Sequence, residues 1–212
     1  TGDTNDHVAF QTNNTVMGVN DLTATAQTIT VDSSISATDG AISLTALRNI
    51  VLNNGSSLTT VDGDITLLAN DGGTTTGEFT GIETDNATIQ TTGSGDISLT
   101  GHGGVGTGEN NKGIYVGYGT ISSSGSGLNA GTITLDGTGG TGSNKNRGLV
   151  INNAGVTSVD GDITLTGIGG GSFTQDEQEN HGVNLEWATI TSTGIGANAA
   201  QITIDGTAGE GL

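Results

Sequence analysis

The sequence predicts an all-β fold: a right-handed parallel β-helix, three strands to a coil, with about six complete coils and long loops at one corner. Three observations predict it. One short phrase recurs as Ala41-Ile42-Ser43-Leu44, Asp64-Ile65-Thr66-Leu67, Asp96-Ile97-Ser98-Leu99, Thr132-Ile133-Thr134-Leu135, Asp162-Ile163-Thr164-Leu165 and Gln201-Ile202-Thr203-Ile204. Two further apolar-alternating segments return between the copies, always in the same order. Helical spacing is absent throughout, while Gly and β-branched residues fill the chain.

The first segments are the phrases above. The second are Ile50-Val51-Leu52, Ile82-Glu83-Thr84, Ile114-Tyr115-Val116, Leu149-Val150-Ile151 and Val183-Asn184-Leu185; the third begin at Leu58, Ile89, Ile121, Val156 and Ile190. Apolar–polar alternation over three to five residues is the pattern of a half-buried strand. Upstream, Leu22, Ile29 and Ile35 supply a short coil, and Val8 and Val16 fit the second and third segments of an incomplete one. Residues 1–212 therefore read as one repeat domain, with an incomplete coil at 1–20 and another at 201–212. About six complete coils at about 4.8 Å per rung give roughly 29 Å of stacked strands. An antiparallel sandwich would need hairpin turns and would not reproduce this fixed order. The right hand follows from the chirality of parallel connections.

From Ile50 onward the spacing between second and third segments is seven or eight residues. From first to second it is 7 and 8 early on, then 17, 17, 16 and 20. The extra residues, 69–81, 101–113, 137–148 and 167–182, fall at one corner, so they are expected to project as a row of loops. Smaller insertions, 125–130 and 194–199, fall between third and first segments.

Composition narrows the function classes. There are 39 Gly and no Pro, with 31% hydrophobic residues, which would suggest disorder if the apolar residues were scattered. Spaced in twos, they can instead line a narrow core shared between coils. Four Lys and Arg against 22 Asp and Glu give a net charge of −18, which excludes general binding to nucleic acid and disfavours anionic membrane surfaces. No apolar run approaches a membrane span, and no membrane insertion is expected. Without Cys there is neither disulfide nor thiolate chemistry.

In a solenoid, chemistry is sought in columns. The inward columns, Ile42 to Ile202 and Leu44 to Ile204, are core; Ser43, Thr66, Ser98, Thr134, Thr164 and Thr203 form an outward hydroxyl ladder. At the turn after the second segment stand Asn54, Asn86, Tyr118, Asn153 and Trp187. Asparagine tolerates left-handed backbone angles and can bond to its copy in the next coil, so the column reads as an asparagine ladder interrupted by two partly exposed aromatics. Tyr118 and Trp187, two coils apart, are a candidate platform for stacking sugars. The glycosylation sequons at Asn54 and Asn86 are accounted for by that ladder.

Two residues before each second segment stand Gln27, Arg48, Thr80, Lys112, Arg147 and His181. Arg48, Lys112, Arg147 and His181 thus share a column in a chain poor in cations, and three of them sit in Asn-x-Gly: Asn111-Lys112-Gly113, Asn146-Arg147-Gly148 and Asn180-His181-Gly182. Such a column either ties down the loop stems by pairing with acids such as Glu109 or Glu179, or receives anionic glycans or an acidic neighbouring subunit. Asp62-Gly63-Asp64 and Asp160-Gly161-Asp162 precede first segments, and Asp62, Asp64, Asp160 and Asp162 are candidate ligands for Ca²⁺, a hard cation that takes carboxylate oxygens on exposed turns; Asp-Gly is equally a common turn pair. The acidic run Asp176-Glu177-Gln178-Glu179 is a second calcium candidate.

The units 131–140 (GTITLDGTGG) and 159–167 (VDGDITLTG) resemble the repeats of large bacterial surface exoproteins, the filamentous-haemagglutinin-like and related β-strand-repeat family, including long cyanobacterial members. The resemblance runs from about Asp21 to the end. It implies a secreted or cell-surface right-handed β-helix serving as adhesin, filament or passenger. The expected function is therefore an extracellular structural or adhesive rod that presents loops, with no enzymatic activity. Its partners are other copies stacked head to tail, or the rest of a longer chain, and glycans. The alternative is a β-helix that binds or degrades polysaccharide, although the aligned outward acid pairs that hydrolysis needs are not found on the strands.

Overall fold

The computed structural model describes residues 6–11, 15–16, 18–171, 179–196 and 199–209. Among them the chain is all-β, without a helix. In order the strands are β1 (His7–Phe10), β2 (Thr15–Val16), β3 (Leu22–Val31), β4 (Ser34–Ser36), β5 (Ile42–Leu52), β6 (Ser57–Thr60), β7 (Ile65–Ala69), β8 (Ile82–Asp85), β9 (Thr88–Thr91) and β10 (Ile97–His102). There follow β11 (Ile114–Gly117), β12 (Thr120–Ser123), β13 (Ile133–Thr138), β14 (Leu149–Asn152), β15 (Gly155–Ser158), β16 (Ile163–Ile168), β17 (Val183–Glu186), β18 (Thr189–Ser192) and β19 (Ile202–Thr207).

All pair in parallel, in two sheets. The 12-stranded sheet runs β17-β14-β11-β8-β5-β7-β10-β13-β16-β19, with β3 and then β1 attached to β5; the 7-stranded sheet runs β18-β15-β12-β9-β6-β4-β2. This order is that of a solenoid-like parallel winding. β5 carries a first and a second segment in one unbroken strand, so it joins two stacks: Ile42 pairs with Ile65, and Ile50 with Ile82. The register continues without slip through Ile65, Ile97, Ile133, Ile163 and Ile202.

The alternation of the sequence sets which side chains are enclosed. Ile42, Ile65, Ile133 and Ile163 and the column Leu44, Leu67, Leu99, Leu135 and Leu165 have no exposed surface, and they belong to one continuous core with the inward residues of the other two stacks. Burying each such side chain stabilises by about 1.5–3 kcal/mol. Because neighbouring rungs share the enclosure, no single repeat holds a core of its own.

Two irregularities in spacing become visible as geometry. The seven-versus-eight difference between Leu22–Ile29 and Ile42–Ile50 is a register shift opposite Ala26 and Thr28, and it leaves Leu47 turned out and 60% exposed. At the turn after β5 an extra residue moves the left-handed position from Asn54 to Gly55 (φ 81°), whereas Asn86, Tyr118, Asn153 and Trp187 hold it themselves. One register expectation is corrected: Val16 pairs with Ser36, and it is Thr15 that stands opposite Ile35.

At the corner before the first segments, Gly40, Gly63, Gly95, Gly131 and Gly161 lie directly over one another. A Cβ on Gly63, Gly95, Gly131 or Gly161 would overlap the carbonyl oxygen of the glycine in the preceding repeat. Only glycine allows backbones to approach so closely here.

The inserted segments do more than project. β10, β13 and β16 run two residues into the expected loops, to His102, Thr138 and Ile168. Beyond them the N–H groups of Gly140, Gly170 and Gly209 donate to the carbonyls of Asn111, Asn146 and Asn180 at 2.7–2.8 Å. Parallel bridges link Thr76 to Val105, Val105 to Thr141, and Glu109 to Asn144. The described loop residues form a further stacked layer, held rung to rung like the strands they interrupt.

Candidate functional site

The basic column exists in space. The N–H groups of Gly81, Gly113 and Gly148 donate to the carbonyls of Lys112 (3.0 Å), Arg147 (3.0 Å) and His181 (2.9 Å), which sets Thr80, Lys112, Arg147 and His181 on successive rungs at the returning loop stems; Arg48 precedes them within β5. Its three Lys and Arg side chains are engaged locally. The Arg48 guanidinium lies 4.6 Å from the centre of the Phe79 ring and donates to Asn49 Oδ1 and the Glu78 carbonyl. The Lys112 ammonium sits over the Tyr115 ring at 5.7 Å and donates to Asn110 Oδ1 at 3.0 Å. Burial, reinforced by the charge of Arg147, holds Lys112 below the usual lysine range. Arg147 pairs with Glu179 and approaches Glu186 at 3.7 Å. His181 is exposed.

Beside this column lies one that the spacing alone did not announce. Asn111 and Asn146 have no exposed surface and Asn180 is 3% exposed. Phe79 N–H donates to Asn111 Oδ1 (3.0 Å), Asn111 N–H to Asn146 Oδ1 (3.0 Å) and Asn146 N–H to Asn180 Oδ1 (2.9 Å). Asn111 Nδ2 donates to the Thr141 carbonyl at 2.7 Å, tying the next loop to the same spine. The recurrent Asn-x-Gly was the legible signal: the asparagine faces in, the cation out, and the glycine passes the neck of the loop.

The aspartates also form a ladder. Asp62 Oδ1 accepts from the Ser94 N–H (2.8 Å) and hydroxyl (3.0 Å); Asp64 Oδ1 from Asp96 N–H (2.9 Å); Asp96 Oδ1 from Thr132 N–H (2.7 Å); and Asp162 Oδ1 from Gln201 N–H (2.7 Å). Each carboxylate thus caps an N–H in the following repeat. Asp160 Oδ2 instead accepts from Gly127 N–H at 2.7 Å within the smaller insertion. Asp160 and Asp162 line an open cleft of about 250 Å³ with Gly127, Leu128, Thr132 and Ala199. Among the described residues, no group of three or more His, Cys, Asp or Glu converges as a metal ligand set. Asp176, Glu177 and Gln178 lie outside the described residues; Glu179 is the partner of Arg147.

The two aromatics stand where the ladder positions put them. Tyr118 is 61% exposed and Trp187 87%, at φ of 55° and 52°. Asn153 separates them at φ 49°. The asparagine ladder is realised earlier in the same column, where Asn86 Nδ2 donates to Asn54 Oδ1 at 2.7 Å. Alongside, Glu186 accepts from Asn152 Nδ2 (2.9 Å) and Asn184 Nδ2 (3.1 Å). The Tyr115 phenol is pushed above its ordinary range, first by burial and then by the neighbouring Tyr118, Asp85, Glu83 and Glu186.

No protein-family model, no curated protein and no solved structure matches this chain.

Proposed function

We propose that the chain is part of an extracellular, cell-surface structural or adhesive protein. In this reading it is a right-handed, three-sided parallel β-helix of about six complete coils, a stiff rod that acts through a repeated surface and gains affinity from many weak contacts. The observation that carries the reading is the repeated parallel register, held without slip from Ile42 through Ile202, with one continuous core shared by all the rungs. The resemblance to filamentous-haemagglutinin-like repeats points the same way.

End-to-end stacking belongs to the same reading. Ile202 is 39% and Ile204 46% exposed, while Ile163 and Leu165, one rung earlier, have no exposed surface. Another copy stacked on this rung would cover its apolar side chains and pair with its backbone. Calcium at Asp62 and Asp64, or at Asp160 and Asp162, would brace the corners of such a rod. Electron microscopy of the purified chain with and without a chelator tests both points. Ordered filaments that shorten on chelation are the expected result; monodisperse short rods indifferent to chelator would remove stacking and calcium together.

A second reading, polysaccharide binding, is favoured by one specific observation, the exposed pair Tyr118 and Trp187.

A further inference from the structure

The chain has six aromatic residues in all: one Trp, two Tyr and three Phe. Three of them, Tyr115, Tyr118 and Trp187, gather at one corner, at and beside the turn after the second strands. The register there is fixed. Gly117 pairs with Asn152 and Asn152 with Glu186, and the N–H groups of Tyr118 and Asn153 donate to the carbonyls of Asn152 (3.0 Å) and Glu186 (2.8 Å). Tyr118, Asn153 and Trp187 therefore occupy the same place on three successive rungs. Their φ angles of 55°, 49° and 52° agree, so their Cα–Cβ bonds leave the backbone in a common direction. Two rungs at about 4.8 Å set the aromatics about 9.6 Å apart along the stack.

Structure alone gives no reason for aromatics at this position. The left-handed angle suits asparagine, which holds it at Asn86 and Asn153, and disfavours a bulky side chain. Packing does not repay the strain, since Trp187 and Tyr118 are 87% and 61% exposed. On the rung of Tyr118 itself, Gly117 carries no side chain and the Tyr115 ring lies over it: a Cβ on Gly117 would come within 2.6 Å of Tyr115 Cε1. Polar groups border the rings on the adjoining column, Asp85, Asn152 and Glu186, and Glu186 is fixed by Asn152 and Asn184.

We propose that this corner binds an extended, uncharged β-1,4-linked polysaccharide running along the stack, with alternate sugar rings seated on Tyr118 and Trp187. In such a chain successive rings are turned over, so every second ring presents the same C–H face, at a repeat close to the two-rung spacing. Aromatic faces take up those C–H faces, and the carboxylates and amides of Asp85, Asn152 and Glu186 are placed for the equatorial hydroxyls. A net charge of −18 and the acids Glu83, Asp85 and Glu186 beside the rings select against polyanionic glycans. Of the nearby cations, Arg147 is paired with Glu179, and Lys112, over the Tyr115 ring, faces the three acids Glu83, Asp85 and Glu186.

Trp187 is the only tryptophan, so its fluorescence reports this site alone. Titration with cellohexaose, chitohexaose and xylohexaose is expected to give a saturable blue shift with at least one of them, which also identifies the sugar. Affinity electrophoresis in the corresponding soluble polysaccharide then compares Trp187→Asn and Tyr118→Asn with the parent chain. Each should weaken retention roughly tenfold or more, as loss of an aromatic anchor does. Both substitutions restore the residue found at Asn86 and Asn153, so thermal unfolding should be unchanged or raised. No spectral response to any of the three oligosaccharides, or retention indifferent to both substitutions, overturns the proposal. The site rests on this corner alone, so filament formation is scored independently of it.

Discussion

The backbone N–H of Asn111 donates to the side-chain oxygen of Asn146 at 3.0 Å, and neither residue has exposed surface. The same bond joins Asn146 to Asn180 and Phe79 to Asn111. Inserted loops would ordinarily loosen a parallel stack, since each adds backbone groups without strand partners. Here the partners are supplied by a buried asparagine on three successive rungs, one residue before Lys112, Arg147 and His181. The loop surface inherits the regularity of the core.

Replacing Asn146 by Ala deletes the acceptor for Asn111 N–H and leaves that donor buried. The expected loss is about 1–3 kcal/mol. It should be local, because a stacked array couples mainly to its nearest neighbours. Hydrogen exchange would show the Asn111 amide accelerated while those of β6 and β9 stay protected. Uniform acceleration along the chain would contradict the ladder.

The stacked glycines make a second, sharper expectation. Gly131→Ala would drive a Cβ into the Gly95 carbonyl, where every near atom is backbone of the preceding rung and nothing flexible can yield. Destabilisation of about 3 kcal/mol or more is expected, in the range of severe overpacking. Gly155→Ala on β15 is the control, since its nearest neighbour is Thr157 Cγ2 at 4.0 Å. There the outcome is neutral or stabilising by up to about 1 kcal/mol, through the unfolded chain. Urea melts of the two variants decide it; equal effects would refute the close approach.

Much of this was legible beforehand, for a definite reason. Period-two alternation in Ile-Thr-Leu and its variants fixes which side faces inward, and repetition fixes what stacks on what, so Ile65, Ile97 and Ile133 could be placed over one another without coordinates. The basic column was visible because cations are rare here. What was hidden depends on backbone geometry. Asn111, Asn146 and Asn180 looked like loop residues, because nothing in composition reveals that a loop turns its amides inward. The N–H caps made by the aspartates before the first segments were hidden as well, because a carboxylate that caps an N–H on the next rung and one that holds a cation share the same Asp-Gly spelling.

Arg147 links the loop stem to Glu179 and to the polar corner at Glu186. Its side chain is 12% exposed against 49% for Glu179, so the pair sits at the water boundary. A double-mutant cycle with Arg147→Met and Glu179→Gln should return a coupling of about 0.5–1 kcal/mol, at the upper end for exposed pairs. The coupling should shrink in high salt. A coupling that survives molar salt undiminished would point to packing of the arginine stem instead.

Asp62 gives the clearest prediction in pH. The Ser94 N–H, and after it the Ser94 hydroxyl, hold its carboxyl below the usual aspartate range. A group whose native value is depressed binds fewer protons folded than unfolded across the interval between the two values, so stability rises with pH there. The contribution of Asp62 is therefore fully present above the ordinary aspartate value of about 3.9 and disappears as pH falls through its lower native value. Asp62→Asn keeps an acceptor for Ser94 but cannot titrate. Denaturant melts collected from neutral pH down into the acid range should show a shallower acid slope for the variant than for the parent chain. Parallel slopes would mean that Asp62 does not hold Ser94 in solution, and that the corner ladder is maintained by its backbone alone.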